Sequence, residues 1–100
     1  FKKTIQAHLF DDLSLEDLAH LTSLSLSSFK RKFKEVFDNS PAAYIKSKRL
    51  EKACELLKRS DLRIGDVCFD CGFNNLDNFS KSFKKAYGLS PSEYRNASSA

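Results

Sequence analysis

The sequence predicts an all-α fold: two helix-turn-helix subdomains joined by one long helix, about seven helices in all. Three observations carry this. Apolar residues recur at helical spacing along most of the chain. Only three Gly and two Pro punctuate 100 residues, too few for an all-β chain. Above all, residues 26–44 return 50 positions later as residues 76–94. Leu26/Leu76, Phe29/Phe79, Phe33/Phe83, Lys34/Lys84, Ser40/Ser90, Pro41/Pro91 and Tyr44/Tyr94 are identical, and Arg31/Lys81 and Phe37/Tyr87 are alike in chemistry. Such a repeat means that one supersecondary unit is built twice.

A first helix is expected over residues 4 to about 10, with Ile5 and Leu9 inward and Asp11-Asp12 breaking the pattern. Ser14 is a good N-cap for a second helix, whose buried side is Leu15, Leu18, Ala19 and Leu21. Thr22-Ser23-Leu24-Ser25 is a tight connection, and Ser25 or Ser27 caps the third helix. There Phe29, Phe33, Val36 and Phe37 form one apolar stripe, while Lys30, Arg31 and Lys34 lie opposite. Ser40 and Pro41 start the fourth helix, because a missing N–H costs nothing at the first helical position. It runs to about residue 59. Ile45, Arg49 and Ala53 mark one line along it and Leu50, Ala53 and Leu57 another, with Leu56 beside it, so both of its ends can pack.

Ser60-Asp61 is the next break. Ile64, Val67 and Cys68 make a short fifth helix ending at Gly72, a natural left-handed cap. Phe73-Asn74-Asn75 turns the chain and Asn75 caps the sixth helix, where Phe79, Phe83, Ala86 and Tyr87 repeat the stripe and Lys81, Lys84 and Lys85 face outward. Gly88 ends it. Ser90-Pro91-Ser92-Glu93 is a capping box for a last short helix through Tyr94 and Arg95, and residues 96–100 read as a frayed tail. Leu15-Leu18-Ala19 aligns with Ile64-Val67-Cys68 at an offset of 49, so the second turn holds one extra residue near Asn74-Asn75. The expected division is residues 1–40, 41–59 and 60–100: subdomain, joining helix, subdomain.

A net charge of +4 and a pI near 9.0 make an acidic partner plausible without identifying one. No run of 18 apolar residues offers a transmembrane helix. Three cysteines, an odd number, do not resemble a secreted disulfide framework, and a reducing cytoplasm is expected. The sequence starts at Phe1 without Met, and an upstream part is expected to be missing.

These residues resemble the DNA-binding domain of AraC/XylS-type bacterial transcription regulators. The resemblance rests on Tyr44, Arg49-Leu50, Ala53 and Leu56-Leu57 in the joining helix. It extends through Ile64, Val67 and Gly72-Phe73, then Phe79-Ser80-Lys81 and Phe83-Lys84, and lastly Gly88, Ser90-Pro91 and Tyr94-Arg95. It implies two helix-turn-helix subdomains and cytoplasmic control of transcription, usually activation, with RNA polymerase as a candidate partner. It also implies a separate effector-binding or dimerisation domain, commonly N-terminal. Four positions depart from the usual pattern: Asp38 for Gly, Arg63 for a capping Ser or Thr, Cys68 for Ala and Lys81 for Arg.

Carried over, the first recognition helix would present Ser27, Ser28, Lys30 and Arg31 to double-stranded DNA. Arg31 is the expected reader of guanine O6/N7. Ser27 and Lys30 are adaptable donors, and Lys34 meets phosphate. The second would present Leu76, Asp77, Asn78, Ser80 and Lys81. Lys81 lacks the planar fork of Arg, which weakens a bidentate guanine contact. Asn78 reads adenine or helps to cap its helix. Asp77 accepts from cytosine N4 or complements the helix N-terminus. Leu76 touches a thymine methyl or packs in the turn. Lys84, Lys85 and the helix N-termini at Ser14, Ser25 and Asn75 are expected to position the protein on phosphates.

No cofactor or metal is expected. Cys68-x-x-Cys71 has no second pair to complete a zinc site, the remainder being Cys54, His8 and His20, and three-residue spacing within a helix fits one buried face. Nothing local would lower a cysteine pKa for nucleophilic or redox work. An enzyme would need a pocket and an orienting group that so small a helical chain offers poorly. The stronger rival is a helix-turn-helix module that binds only proteins, which should replace the basic outer face by exposed apolar residues on at least one copy. RNA readout would want exposed stacking aromatics, whereas the Phe residues sit at core spacing.

Overall fold

The computed structural model of the chain describes residues 1–59 and 61–98. Among them are seven α-helices and no strand: α1 (Lys2–Ala7), α2 (Leu15–Leu21), α3 (Leu26–Phe37), α4 (Pro41–Arg59), α5 (Ile64–Asp70), α6 (Leu76–Tyr87) and α7 (Pro91–Ser98). They form two compact units, residues 1–48 and 49–100, and the division falls inside α4.

In the first unit Ile5, Leu9, Leu18, Ala19, Phe29, Phe33 and Ile45 are buried together, with Phe1, Phe37 and Tyr44 against them. Phe33 and Tyr44 meet edge-on with ring centroids 5.5 Å apart, and Phe37 lies 4.5 Å from Tyr44. The second unit repeats this. Leu50, Ala53, Leu57, Val67, Cys68, Cys71, Phe73, Phe79 and Phe83 are buried, and Phe83 and Tyr94 meet edge-on at 5.3 Å. Ile5 and Leu9 stand in α1 and just beyond it as Ala53 and Leu57 stand in the second half of α4, four residues apart and buried. Each unit is therefore a supporting helix, a helix-turn-helix pair and the first turns of a Ser-Pro-capped helix that brings a tyrosine onto the aromatic stripe.

The turns show why the two repeats slip by one residue. Thr22 and Cys71 close α2 and α5 with the same φ of −91° and ψ of 3°. Ser23 and Gly72 follow with positive φ, 60° and 102°. Leu24 then donates its N–H to the Ala19 carbonyl, and Phe73 donates to Cys68. All of these pairs keep the offset of 49. The next equivalent pair is the N-caps Ser25 and Asn75, 50 apart. Asn74 is the extra residue.

The caps follow the local sequence. Ser14 and Asp17 form a reciprocal capping box on α2, and Ser90 and Glu93 form one on α7. Ser25, rather than Ser27, caps α3 by accepting from the Ser28 N–H. Arg63 flanks α5 in extended conformation without a side-chain cap.

Four expectations need correction. The first helix is α1 at Lys2–Ala7, so Leu9 is buried from the segment after it. Leu21 is 49% exposed and Val36 39%, because each lies at the solvent edge of its stripe. Ala86 and Tyr87 are exposed as well, with the Tyr87 ring tilted against Phe83 at a centroid distance of 4.8 Å. The last helix continues through Ser98, held where Arg95 Nε donates to the Leu57 carbonyl near the C-terminus of α4 at 3.3 Å. The expected break at Ser60 and the last two residues of the expected tail, Ser99 and Ala100, lie outside the described residues.

Candidate nucleic-acid interface

α3 and α6 are built alike from the sequence upward. Each is twelve residues long, capped by a side-chain oxygen, and ends on a left-handed residue whose N–H bonds the fourth carbonyl before it, Asp38 to Lys34 and Gly88 to Lys84. Burying Phe29 and Phe33, or Phe79 and Phe83, decides which face of each helix turns to water. On α3 this leaves Ser27, Lys30, Arg31 and Lys34 exposed and Ser28 half-buried. Ser28 is engaged by the cap: its N–H donates to Ser25 Oγ at 3.3 Å, and the Ser25 hydroxyl donates to Ser28 Oγ at 3.1 Å. Lys32, which the sequence argument passed over, is also exposed, but its ammonium sits over the Phe1 ring, 5.9 Å from the centroid.

On α6, Leu76, Asp77, Asn78, Lys81, Lys84 and Lys85 are exposed and Ser80 is half-buried. Leu76 is 45% exposed, so it does not pack away into the turn. Asn75 supplies the cap, accepting the Asn78 N–H at 2.9 Å. The Asn78 side chain is thus not the capping group; its Oδ1 accepts from the Ser82 hydroxyl at 3.5 Å instead. Ser82 is the buried polar residue of this helix, 7% exposed, and sequence reasoning missed it. Its place four residues after Asn78, on the same helix face, was the available signal.

Also missed was an ion pair on the outward face. Lys81 Nζ lies 3.1 Å from Asp77 Oδ2, with both side chains more than three-quarters exposed. On α3 the corresponding residues are Ser27 and Arg31, and Ser27 brings no carboxylate.

Cys68 and Cys71 are occupied as buried thiols. Cys71 S–H donates to the Cys68 carbonyl at 3.3 Å and Cys68 S–H points to the Phe73 carbonyl at 3.9 Å. Burial pushes the Cys71 thiol up to about 11 and raises Cys68 as well, which disfavours the thiolate that metal binding or nucleophilic attack requires. Among the described residues no group of three His, Cys, Asp or Glu side chains could hold a metal ion, and no helix is long and apolar enough to cross a membrane. One open groove of about 400 Å³ lies in the first unit, lined by Phe1, Thr4, Leu21, Thr22, Ser23, Leu24 and Lys32. No carboxylate, histidine or thiol lines it to serve as an acid or base.

A family model described as a helix-turn-helix domain matches residues 18–97. The chain is 32% identical over 96 residues to the transcriptional activator RhaS of Enterobacter sp. strain 638, covering 96% of this chain and 34% of RhaS. It is 31% identical over 91 residues to the transcriptional regulator ExsA of Pseudomonas aeruginosa, covering 91% of this chain and 33% of ExsA. The chain therefore spans about one third of the length of these curated relatives. Among solved structures, the DNA-binding domain of the transcriptional factor AdpA, in complex with a target DNA, superposes with a TM-score of 0.88 at 26% identity. That match covers 96% of this chain and 89% of the other.

Proposed function

Because the chain belongs to the AraC/XylS family of helix-turn-helix DNA-binding domains, we propose that it binds double-stranded DNA sequence-specifically as part of a bacterial transcription activator. The observation that carries this reading is the double one: two helices with the same cap, the same aromatic inner face and a basic outer face. A major groove admits one α-helix, and its base edges carry a distinct donor and acceptor code. α3 and α6 enter successive major-groove segments, with centres about 34 Å apart if the duplex stays straight. Arg31 reads guanine, with Ser27 and Lys30 beside it and Ser28 holding the cap. Leu76, Asp77, Asn78, Ser80 and Lys81 make up the second reader. Lys34, Lys84 and Lys85 hold phosphates.

Regulators of this kind act in the cytoplasm. A sensing or dimerisation domain and a contact with RNA polymerase belong to the whole protein, consistent with the threefold greater length of RhaS and ExsA. The rival is a module that binds only proteins, and exposed Phe69 on α5, 58% accessible between Asp66 and Asp70, favours some protein contact. It leaves the basic faces of α3 and α6 unexplained. Selection of bound duplexes from a randomised pool with the purified chain separates the two. A two-block motif with centres one helical turn apart is expected. Absence of both enrichment and salt-dependent binding would overturn the proposal in favour of the protein module.

A further inference from the structure

We propose that Asp77 is a specificity-determining residue that acts by holding the Lys81 ammonium away from phosphate; this rests on the DNA-binding reading above. The pair lies on the outward face of α6, and Lys81 Nζ is 3.1 Å from the Asp77 carboxylate. Both side chains are more than three-quarters exposed, so the pair is not a core contact. Spacing of four with the acid toward the N-terminus is the favourable orientation for such a pair.

An unpaired ammonium on this face is free to neutralise any phosphate, which strengthens binding to every sequence alike. Paired with Asp77 it gains less from a phosphate, because the contact must first give up the carboxylate. A site that offers Asp77 a donor, such as cytosine N4, frees Lys81 for a phosphate. Unit one lacks this restraint, since Ser27 stands where Asp77 stands. α6 thereby carries, at this position, a discrimination against random sequence that α3 lacks.

The test uses the intact chain with three variants, Asp77→Asn, Lys81→Gln and the double variant, each checked for unchanged helical circular dichroism. Binding is measured on a random-sequence duplex and on a selected duplex, over 50 to 200 mM salt. For Asp77→Asn, affinity for the random duplex is expected to rise about twofold, the worth of an exposed pair at this spacing. Its dependence of log K on log salt should steepen by about 0.9, one more phosphate. The ratio of selected to random affinity should fall. In the Lys81→Gln background the Asp77→Asn change should leave the salt slope unaltered. The proposal is overturned if Asp77→Asn leaves random-duplex binding unchanged or weaker. It is overturned equally if the same slope change persists without Lys81, which would mark a general loss of negative charge. If the unaltered chain binds no duplex, the DNA-binding reading falls first and this inference with it.

Discussion

Asp38 and Gly88 occupy the same place after α3 and α6, with φ of 55° and 79°. Only glycine adopts that conformation without a penalty, although Asp tolerates it better than most residues. A Cβ at Gly88 would meet nothing within 4 Å, so the cost of substituting it is purely one of backbone conformation. Gly88→Ala should lower unfolding free energy by about 1–2 kcal/mol. Asp38→Gly should raise it by about 0.5 kcal/mol, the relief of strain being partly offset by the freer unfolded chain. Urea denaturation of both variants checks the pair; equal effects would mean that the two helix ends are not equivalent in energy. Cys71 makes a second prediction at this scale. Its folded thiol is raised to about 11 from an ordinary 9.0, so the folded state holds the proton more tightly. The resulting stability is complete below about pH 8.5 and is lost as pH rises through 11. Wild type should lose urea resistance between pH 8 and 10.5 more steeply than Cys71→Ala does. Parallel curves would show that other groups carry the alkaline transition.

At the scale of the element, α3 and α6 owe their existence to local signals and their orientation to burial. Ser25 and Asn75 start them, Asp38 and Gly88 stop them, and the phenylalanines four residues apart choose the inner face. The basic face follows from what remains. Arg31→Ala should cost about 1–3 kcal/mol on the selected duplex and relax preference at one base pair. Lys84→Ala should weaken all duplexes alike and flatten the salt slope by about 0.9. Parallel titrations on selected and random DNA measure both, and a changed base preference in Lys84→Ala would refute the division into readers and phosphate holders. The roles of Asn78 and Leu76, left open by the sequence, depended on neighbours. Asn75 took the cap, Ser82 took the Asn78 carbonyl, and Leu76 was left 45% exposed.

For the whole molecule, the decisive fact is that one chain builds two cores with no buried residue in common among the described residues. Phe33 centres one aromatic cluster and Phe83 the other, each facing a tyrosine edge-on. Phe33→Leu and Phe83→Leu should each destabilise by about 1–2 kcal/mol, and the double variant by their sum within about 0.5 kcal/mol. Guanidinium titrations of the three variants test this. A coupling larger than that would show that the two clusters communicate. The repeat itself was legible because both copies must solve the same packing problem with the same residue types. Even the one-residue slip in the second turn could be read from the change of offset, and the structure locates it at Asn74.

What the sequence by itself determined is most of what is set within a turn or two of helix: the caps at Ser14, Asn75 and Ser90, the stops at Asp38 and Gly88, and the alternation of aromatic and basic faces. These are contacts between residues three or four apart, so the residue types suffice to specify them. The tertiary structure alone decided how wide each buried stripe is. It exposed Leu21, Val36 and Tyr87, buried Ser82, chose Ser25 over Ser27 as the cap of α3, and closed the helix pairs over α1 in one unit and the second half of α4 in the other. The physical reason is that burial depends on how far a partner helix reaches across a face. That reach is set by residues distant in sequence, and periodicity within one helix carries no record of it.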